Sequence, residues 1–203
     1  MEEEQEEQEE KRRNVQRKRR NVQRKNVEKC AKKLDVGNNN IKTNKYLYYK
    51  MTIIFFGSDH AGFSMKKDII NTLNTGKEEG TVDKMLEIKD IGCYSIESCN
   101  YPEFAFRVAN KVSETPNSFG VLLCGTGIGM SIAANKIKGA RCALCHNYTS
   151  VNMARKHNDA NIIAIGARGN SPEMILPLIL GFIHTEFDGG RHKKRIDMID
   201  SMV

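Results

Sequence analysis

The stretch GVLLCGTGIGMSIAANK, residues 120–136, decides how the chain is read. It passes from a short apolar run of strand character, through the single thiol of Cys124, into the alternating glycines Gly125, Gly127 and Gly129, and then into small residues suited to a tightly packed helix. A strand, a turn and a helix in that order point backbone N–H groups and the positive end of a helix dipole at whatever occupies the turn. Such a junction suits a phosphate or an enolate-like oxyanion. A lone cysteine at a strand end is ordinarily a small buried hydrophobe. Glycines at alternate positions beside Cys124 shift the reading toward a cradle with a thiol at its mouth, where the dipole favours a thiolate.

Outward from this unit, strand and helix signals alternate from Thr52 to the C-terminus. Strands are predicted at Thr52–Gly57, Leu86–Gly92, Phe119–Cys124, Ala140–Cys145 and Asn161–Gly166. Helices are predicted at Ala61–Asn74 (stopped by the polar loop Gly76–Gly80), from Pro102 onward, at Gly129–Ile137, at Tyr148–His157, at Glu173–Phe187 and from about Arg191. Strict alternation is the mark of a parallel sheet covered on both faces. Residues 51–203 are therefore expected to be a single α/β domain, Rossmann-like and three-layered, with a five-stranded parallel sheet. The last helix carries Ile196, Ile199 and Val203 on one face of an otherwise charged element, which suggests docking onto a partner subunit.

Residues 1–50 read differently. They open on a glutamate-rich run and then repeat RRNVQRK at 12–18 and 19–25, with almost no apolar residue before Leu34. Such a segment cannot bury enough surface to offset its ordering entropy, so a disordered charged tail is expected. The tail also carries the net charge of +7: residues 1–50 hold 15 Lys/Arg against 9 Asp/Glu, which leaves 17 against 16 for residues 51–203. The near-neutral body argues against nucleic-acid binding outside the basic part of the tail. No signal peptide and no membrane-length apolar run stand out, so the expected location is cytoplasmic, where the six cysteines stay reduced. Cys142 and Cys145 have redox or zinc spacing but fall in an apolar strand-like run and are read as packing residues; Cys93 and Cys99 flank a loop without a matching ligand set.

In an open parallel sheet, ligands bind beyond the carboxyl ends of the strands. The polar residues at those ends are Ser58, Asp59 and His60, then Asn100 and Tyr101, then Cys124 to Gly129, then His146 and Asn147, and finally Arg168. Together they imply a pocket for an anionic, oxygen-rich ligand. Arg191 and Arg195, four apart after Gly189 and Gly190, project on one helix face and can jointly hold a phosphate dianion. His157 lies at a helix end, where either a capping or a functional imidazole fits. A dinucleotide site is excluded by spacing: Gly125, Gly127 and Gly129 give G-x-G-x-G and not G-x-G-x-x-G, and they follow the third strand and not the first.

Five ordered motifs then coincide. GSDHAG at 57–62, NYP at 100–102, CGTGIG at 124–129 with AANK at 133–136, RKHNDAN at 155–161 and GGRH at 189–192 closely resemble ribose-5-phosphate isomerase type B, of the RpiB/LacA/LacB sugar-phosphate isomerases. The resemblance covers residues 52–203 and none of residues 1–50. It implies a reversible aldose–ketose isomerisation of D-ribose 5-phosphate and D-ribulose 5-phosphate, as in the non-oxidative pentose phosphate pathway, with no metal and no organic cofactor. By the same resemblance Cys124 is the base. Thr126 and the backbone N–H groups of Gly125, Gly127, Ile128 and Gly129 hold the enediolate oxygen. His157, with Asp59 nearby, opens the sugar ring. His60, Arg168, Arg191 and Arg195 bind phosphate, and Asn158 and Tyr101 contact the sugar. The family implies a homodimer or a dimer of dimers with active sites shared between chains. Two alternatives stand beside this: an isomerase of a six-carbon phosphate such as allose or galactose 6-phosphate, and a non-catalytic sugar-phosphate binder, against which the intact Cys124, Thr126 and His157 set speaks.

Overall fold

Apolar runs without polar alternation, such as Ile53–Phe56, Val121–Cys124 and Ile162–Ile165, suit strands covered on both faces. The computed structural model, which describes residues 51–202, forms strands from all three. The elements are β1 (Thr52–Ser58), α1 (Phe63–Glu78), β2 (Leu86–Asp90), α2 (Tyr101–Glu114), β3 (Ser118–Cys124), α3 (Ile128–Ala134), β4 (Cys142–Leu144), α4 (Tyr148–Asn158), β5 (Ile162–Gly166), α5 (Pro172–His184) and α6 (Arg191–Asp200). The tail expected at residues 1–50, with Cys30, and the terminal Val203 lie outside the described residues.

All five strands are parallel, in the order β2-β1-β3-β5-β4. Helices α2 and α3 pack together on one face, while α5 packs with α1 and α4 on the other. Every residue of β5 is buried, as is β3 from Gly120 to Cys124. Between the sheet and the first of these faces lies a cluster that includes Phe55, Val108, Leu122, Met130 and Ile162. Register sets Ser58 opposite Leu123 and Cys124 opposite Gly166, so β1, β3 and β5 end level with one another.

Several boundaries differ from the sequence reading for identifiable reasons. Helix α1 runs through Gly76 to Glu78. A Cβ at Gly76 would stand 2.6 Å from the Val82 side chain, and the Gly76 carbonyl accepts the N–H of Val82 at 3.0 Å, so this glycine serves close packing and not helix termination. Helix α3 stops at Ala134, three residues early. Its C-cap Asn135 turns its amide onto the edge of β4, donating to the Cys142 carbonyl and accepting the Cys142 N–H, both at 2.8 Å. In α6, Ile196 is buried within the chain whereas Ile199 is exposed, so the expected apolar docking stripe is reduced among the described residues to Ile199 and Met198.

The segment after β2 is held by a side chain to which the sequence reading gave no role. Lys66, fully buried in α1, pairs with Asp90 and donates to the Cys93 carbonyl at 2.8 Å, with the Tyr94 ring 5.1 Å away. This ion pair ties α1 to the chain that leads into the site. Lys66→Met keeps the volume but leaves the Cys93 carbonyl and the partly exposed Asp90 carboxylate without their cation. It is expected to cost about 3 kcal/mol in urea unfolding. A loss below the error of the method would show that the ion pair contributes no net stability.

Candidate active site

The chain leaves β1 toward one face of the sheet and leaves the neighbouring β3 toward the other, since α1 and α3 lie on opposite sides. Such a switch point opens a crevice at the carboxyl ends of the strands. Three backbone hydrogen bonds beyond the strand ends hold its walls together: Asp59 N–H to the Leu123 carbonyl (3.2 Å), Ala167 N–H to the Cys124 carbonyl (2.7 Å) and Arg168 N–H to the Gly125 carbonyl (3.1 Å). Contact at the first of these walls requires glycine. A Cβ on Gly62 would fall 2.2 Å from the Leu123 oxygen.

Cys124 ends β3, buried, with its Sγ accepting the Gly127 N–H at 3.0 Å. Gly127 reaches this position through a left-handed backbone (φ +81°), where a side chain is strained. The Thr126 hydroxyl accepts the Ile128 N–H at 3.4 Å and lies on the exposed side of the turn. Ile128 and Gly129 begin α3. The turn thus sets a thiol, a hydroxyl and a helix N-terminus around one point.

The remaining residues expected at this edge close around it. Asp59 is buried and its Oδ1 accepts the Gly62 N–H at 3.0 Å. Beside it, the Ser58 hydroxyl is buried with no hydrogen-bond partner. His60 Nδ1 accepts the Cys99 N–H at 3.3 Å, which leaves Nε2 as the N–H donor of the neutral ring. The Tyr101 ring lies over Gly129, where a Cβ would come within 2.6 Å of it, and the Arg168 guanidinium lies over Gly125, 3.1 Å from the corresponding point. Asn147 caps α4 in a reciprocal pair with Ser150, and the backbone N–H of His146 donates to the Ser150 hydroxyl.

The structure does not bring His157, Asn158, Arg191 and Arg195 to this edge. Helix α4 starts beyond the carboxyl end of β4 and runs back, so its C-terminus lies at the amino ends of the strands. There Asp159 meets Arg141, which precedes β4, at 3.0 Å. The length of β5, roughly 16 Å at 3.3 Å per residue, separates the two groups within one chain, and His157 is not beside Asp59. His157 instead stacks on His192, with ring centres 4.2 Å apart and planes within 6°. His192, which the sequence reading quoted only as part of a motif, has its pKa lowered by burial first and then by His157, Arg191 and Arg195. A neutral His192 can lie against His157 without charge repulsion, and the Arg191 Nε stands 3.5 Å from its Nε2. The loop before α6 is joined to α4 by the Asp188 N–H on the Lys156 carbonyl at 3.1 Å. Arg141 also reaches Asp200 at 3.3 Å, which fixes the far end of α6.

Cys142 and Cys145 are packing groups. Burial pushes their thiols up to about 12 and about 11. Among the described residues no helix is long and apolar enough to cross a membrane.

The family model described as ribose/galactose isomerase matches residues 54–199 of this chain. The chain belongs to that family, the RpiB/LacAB sugar-phosphate isomerases. A Bacillus subtilis relative whose own assignment stops at sugar phosphate isomerase is 41% identical over 147 residues, which cover 72% of this chain and 93% of the relative. The crystal structure of a ribose 5-phosphate isomerase from Thermotoga maritima superposes with a TM-score of 0.67 at 41% identity, covering 74% of this chain and 98% of that one. A Mycoplasma genitalium ribose-5-phosphate isomerase B with bound ribulose-5-phosphate superposes equally well, with a TM-score of 0.67 at 35% identity and coverage of 74% and 95%. As a member of this family, the chain is an aldose–ketose isomerase of sugar phosphates.

Gly127 tests the turn. In Gly127→Ala the new Cβ would meet Leu144 at 2.7 Å and Ile165 at 3.0 Å, at a φ that L-residues avoid. A loss of about 1–3 kcal/mol in stability and about 10²-fold in sugar-phosphate turnover is expected. Gly169→Ala, at φ +77° with open space around it, separates strain from crowding and is expected to keep most turnover. Equal losses in both variants would remove the special role given to the 124–129 turn.

Proposed function

We propose that this chain interconverts D-ribose 5-phosphate and D-ribulose 5-phosphate. The observation that carries the reading is the Cys124 thiol, held 3.0 Å from the Gly127 N–H at the switch-point crevice, in a turn against which Tyr101 and Arg168 lie, at Gly129 and Gly125. The relative with bound ribulose-5-phosphate supports the five-carbon substrate.

In the direction from aldose to ketose, Cys124 takes the proton from C2 and returns it to C1. The negative charge that develops on O1 in the enediolate is received by the N–H groups at the start of α3 and by Thr126, and the hydroxyl proton of O2 passes to O1 as C1 is protonated. Before that step the furanose ring must open, with the anomeric hydroxyl losing its proton and the ring oxygen gaining one. His157 performs this transfer, with Asp59 opposite it. His60, Arg168, Arg191 and Arg195 take the phosphate, while Asn158 and Tyr101 contact the sugar hydroxyls. Because His157, Asn158, Arg191 and Arg195 lie at the other end of the sheet, a second copy supplies them. The working unit is a homodimer, alone or within a dimer of dimers, and an isologous pairing presents both ends to each other twice.

Purified full-length protein is expected to turn over ribose 5-phosphate with a higher kcat/KM than allose 6-phosphate. Cys124→Ala is expected to lose about 10³-fold in kcat while staying folded, because the general base is removed. Arg195→Ala is expected to raise KM, and the inhibition constant of inorganic phosphate with it, by about tenfold. Preference for the six-carbon substrate would move the function to the alternative isomerase, and retained turnover in a folded Cys124→Ala would remove the thiol from the mechanism.

A further inference from the structure

An imidazole that shuttles protons needs a nitrogen free for the sugar, so hydrogen bonds at its nitrogens are poorly placed to hold its ring still. Among the described residues neither ring nitrogen of His157 has a hydrogen-bond partner, and the ring is held instead by its face, flat against His192 with centres 4.2 Å apart and planes within 6°. His192 is the fixed member of the pair. It is buried in the first turn of α6, where its backbone N–H donates to the Gly189 carbonyl at 3.1 Å. The chain enters that turn through Gly190 at φ +55° and ψ −127°, with open space where a Cβ would stand, so conformation and not crowding requires glycine there. The Asp188 N–H on the Lys156 carbonyl ties the same loop to α4, and the two rings are thereby brought face to face from both sides.

We propose that His192 is a positioning residue for His157: its ring, stacked on that imidazole, sets the plane in which His157 exchanges the protons of ring opening. The inference rests on the ring-opening role given to His157 above; the stack itself does not. The torsion that turns a histidine ring about its Cβ–Cγ bond is broad, so a ring held neither by its nitrogens nor by its face has no fixed plane. Both histidines belong to one chain, and the pair reaches a partner's crevice as a unit.

The support must stay neutral while His157 gains and loses a proton, since two stacked imidazolium rings repel and a neutral aromatic face attracts a cation. Contacts around His192 keep it so. The Arg191 Nε–H faces His192 Nε2 at 3.5 Å, which leaves that nitrogen an acceptor and puts the ring's own hydrogen on Nδ1. A proton on Nε2 would set donor against donor. Arg191 and Arg195 from α6 oppose a further positive charge and Asp188 in the loop before α6 favours one; on α4, Arg155 is already paired with Asp159, and Lys156 adjoins His157 in sequence. Burial first, then His157 and the two arginines, lower the His192 pKa below its ordinary value, so this ring takes no part in the proton exchange at pH 7.

The test uses the full chain and both directions of the reaction. Ribulose 5-phosphate is open-chain, because the oxygen that would close its five-membered ring carries the phosphate, so ring opening is needed only from ribose 5-phosphate. His192→Leu is expected to lower kcat for ribose 5-phosphate about tenfold, while kcat for ribulose 5-phosphate and the inhibition constant of inorganic phosphate stay within about twofold. His192→Phe restores a flat face without nitrogens and is expected to keep kcat for ribose 5-phosphate within about threefold. In NMR spectra the His157 ring protons are expected to carry the upfield ring-current shift of a stack in the unaltered protein and in His192→Phe, and to lose it in His192→Leu. Equal losses in the two variants would place the role of His192 in its nitrogens and overturn the proposal, as would a matching rise in the phosphate inhibition constant or an equal loss on both sugars. Full turnover in His192→Leu with the ring-current shift gone would overturn it as well. Should His192→Leu fail to fold, His192→Phe decides: retained turnover supports the role of the face, and a loss of about tenfold contradicts it. Absence of turnover in the unaltered protein would count against the functional reading alone, since the ring-current shift reports the stack without substrate.

Discussion

The site depends on how closely the ends of three parallel strands are joined. Asp59 and Ala167 donate backbone N–H groups to the carbonyls of Leu123 and Cys124, so β3 is clamped from β1 on one side and β5 on the other at the residue that carries the thiol. Gly62 makes the first of these contacts possible, since any side chain there would overlap the Leu123 carbonyl. The remaining features at this edge follow from the clamp. Cys124 has nowhere to move, the 125–129 turn must fold back over its sulfur, and Arg168 and Tyr101 are laid across glycines that leave room for them.

The fold was legible because strands buried on both faces must be written as unbroken apolar runs, and β1, β3 and β5 are. Features that depended on contacts between distant segments were not legible. Gly76 reads as a helix stop, yet it is a contact with Val82; Asn135 reads as one more helical residue, yet its amide is spent on β4; Lys66 stands out in no motif, yet its ammonium group is buried against Asp90. The residues at the carboxyl edge could be collected from topology alone. His157 could have been separated from them by the same reasoning, since a helix that follows a parallel strand runs antiparallel to it and returns its last turn to the amino edge. Its stacking on His192 had no signal in the sequence, because it depends on the Asp188 N–H bonding the Lys156 carbonyl and so bringing α6 to the end of α4.

The function proposed for this chain makes the two ends of its sheet two halves of one site. One end of the sheet holds the Cys124 thiol and the 125–129 turn, and the other holds a histidine pair with two exposed arginines. In that proposal neither end alone offers both proton transfer at carbon and a phosphate clamp with the charge that a dianion requires. The network of Arg141 with Asp159 and Asp200 gives the second half-site a fixed shape, since it anchors both the last turn of α4 and the far end of α6.

The central claim, a site built from two chains, is tested most directly by mixing two inactive variants. Cys124→Ala and His157→Ala, coexpressed and purified together, should give mixed dimers in which one site has both residues intact and the other has neither. With random pairing about a quarter of all sites should regain full turnover of ribose 5-phosphate, while each variant alone stays inactive. No recovery in demonstrably mixed assemblies would contradict the account and return His157 to a role within its own chain.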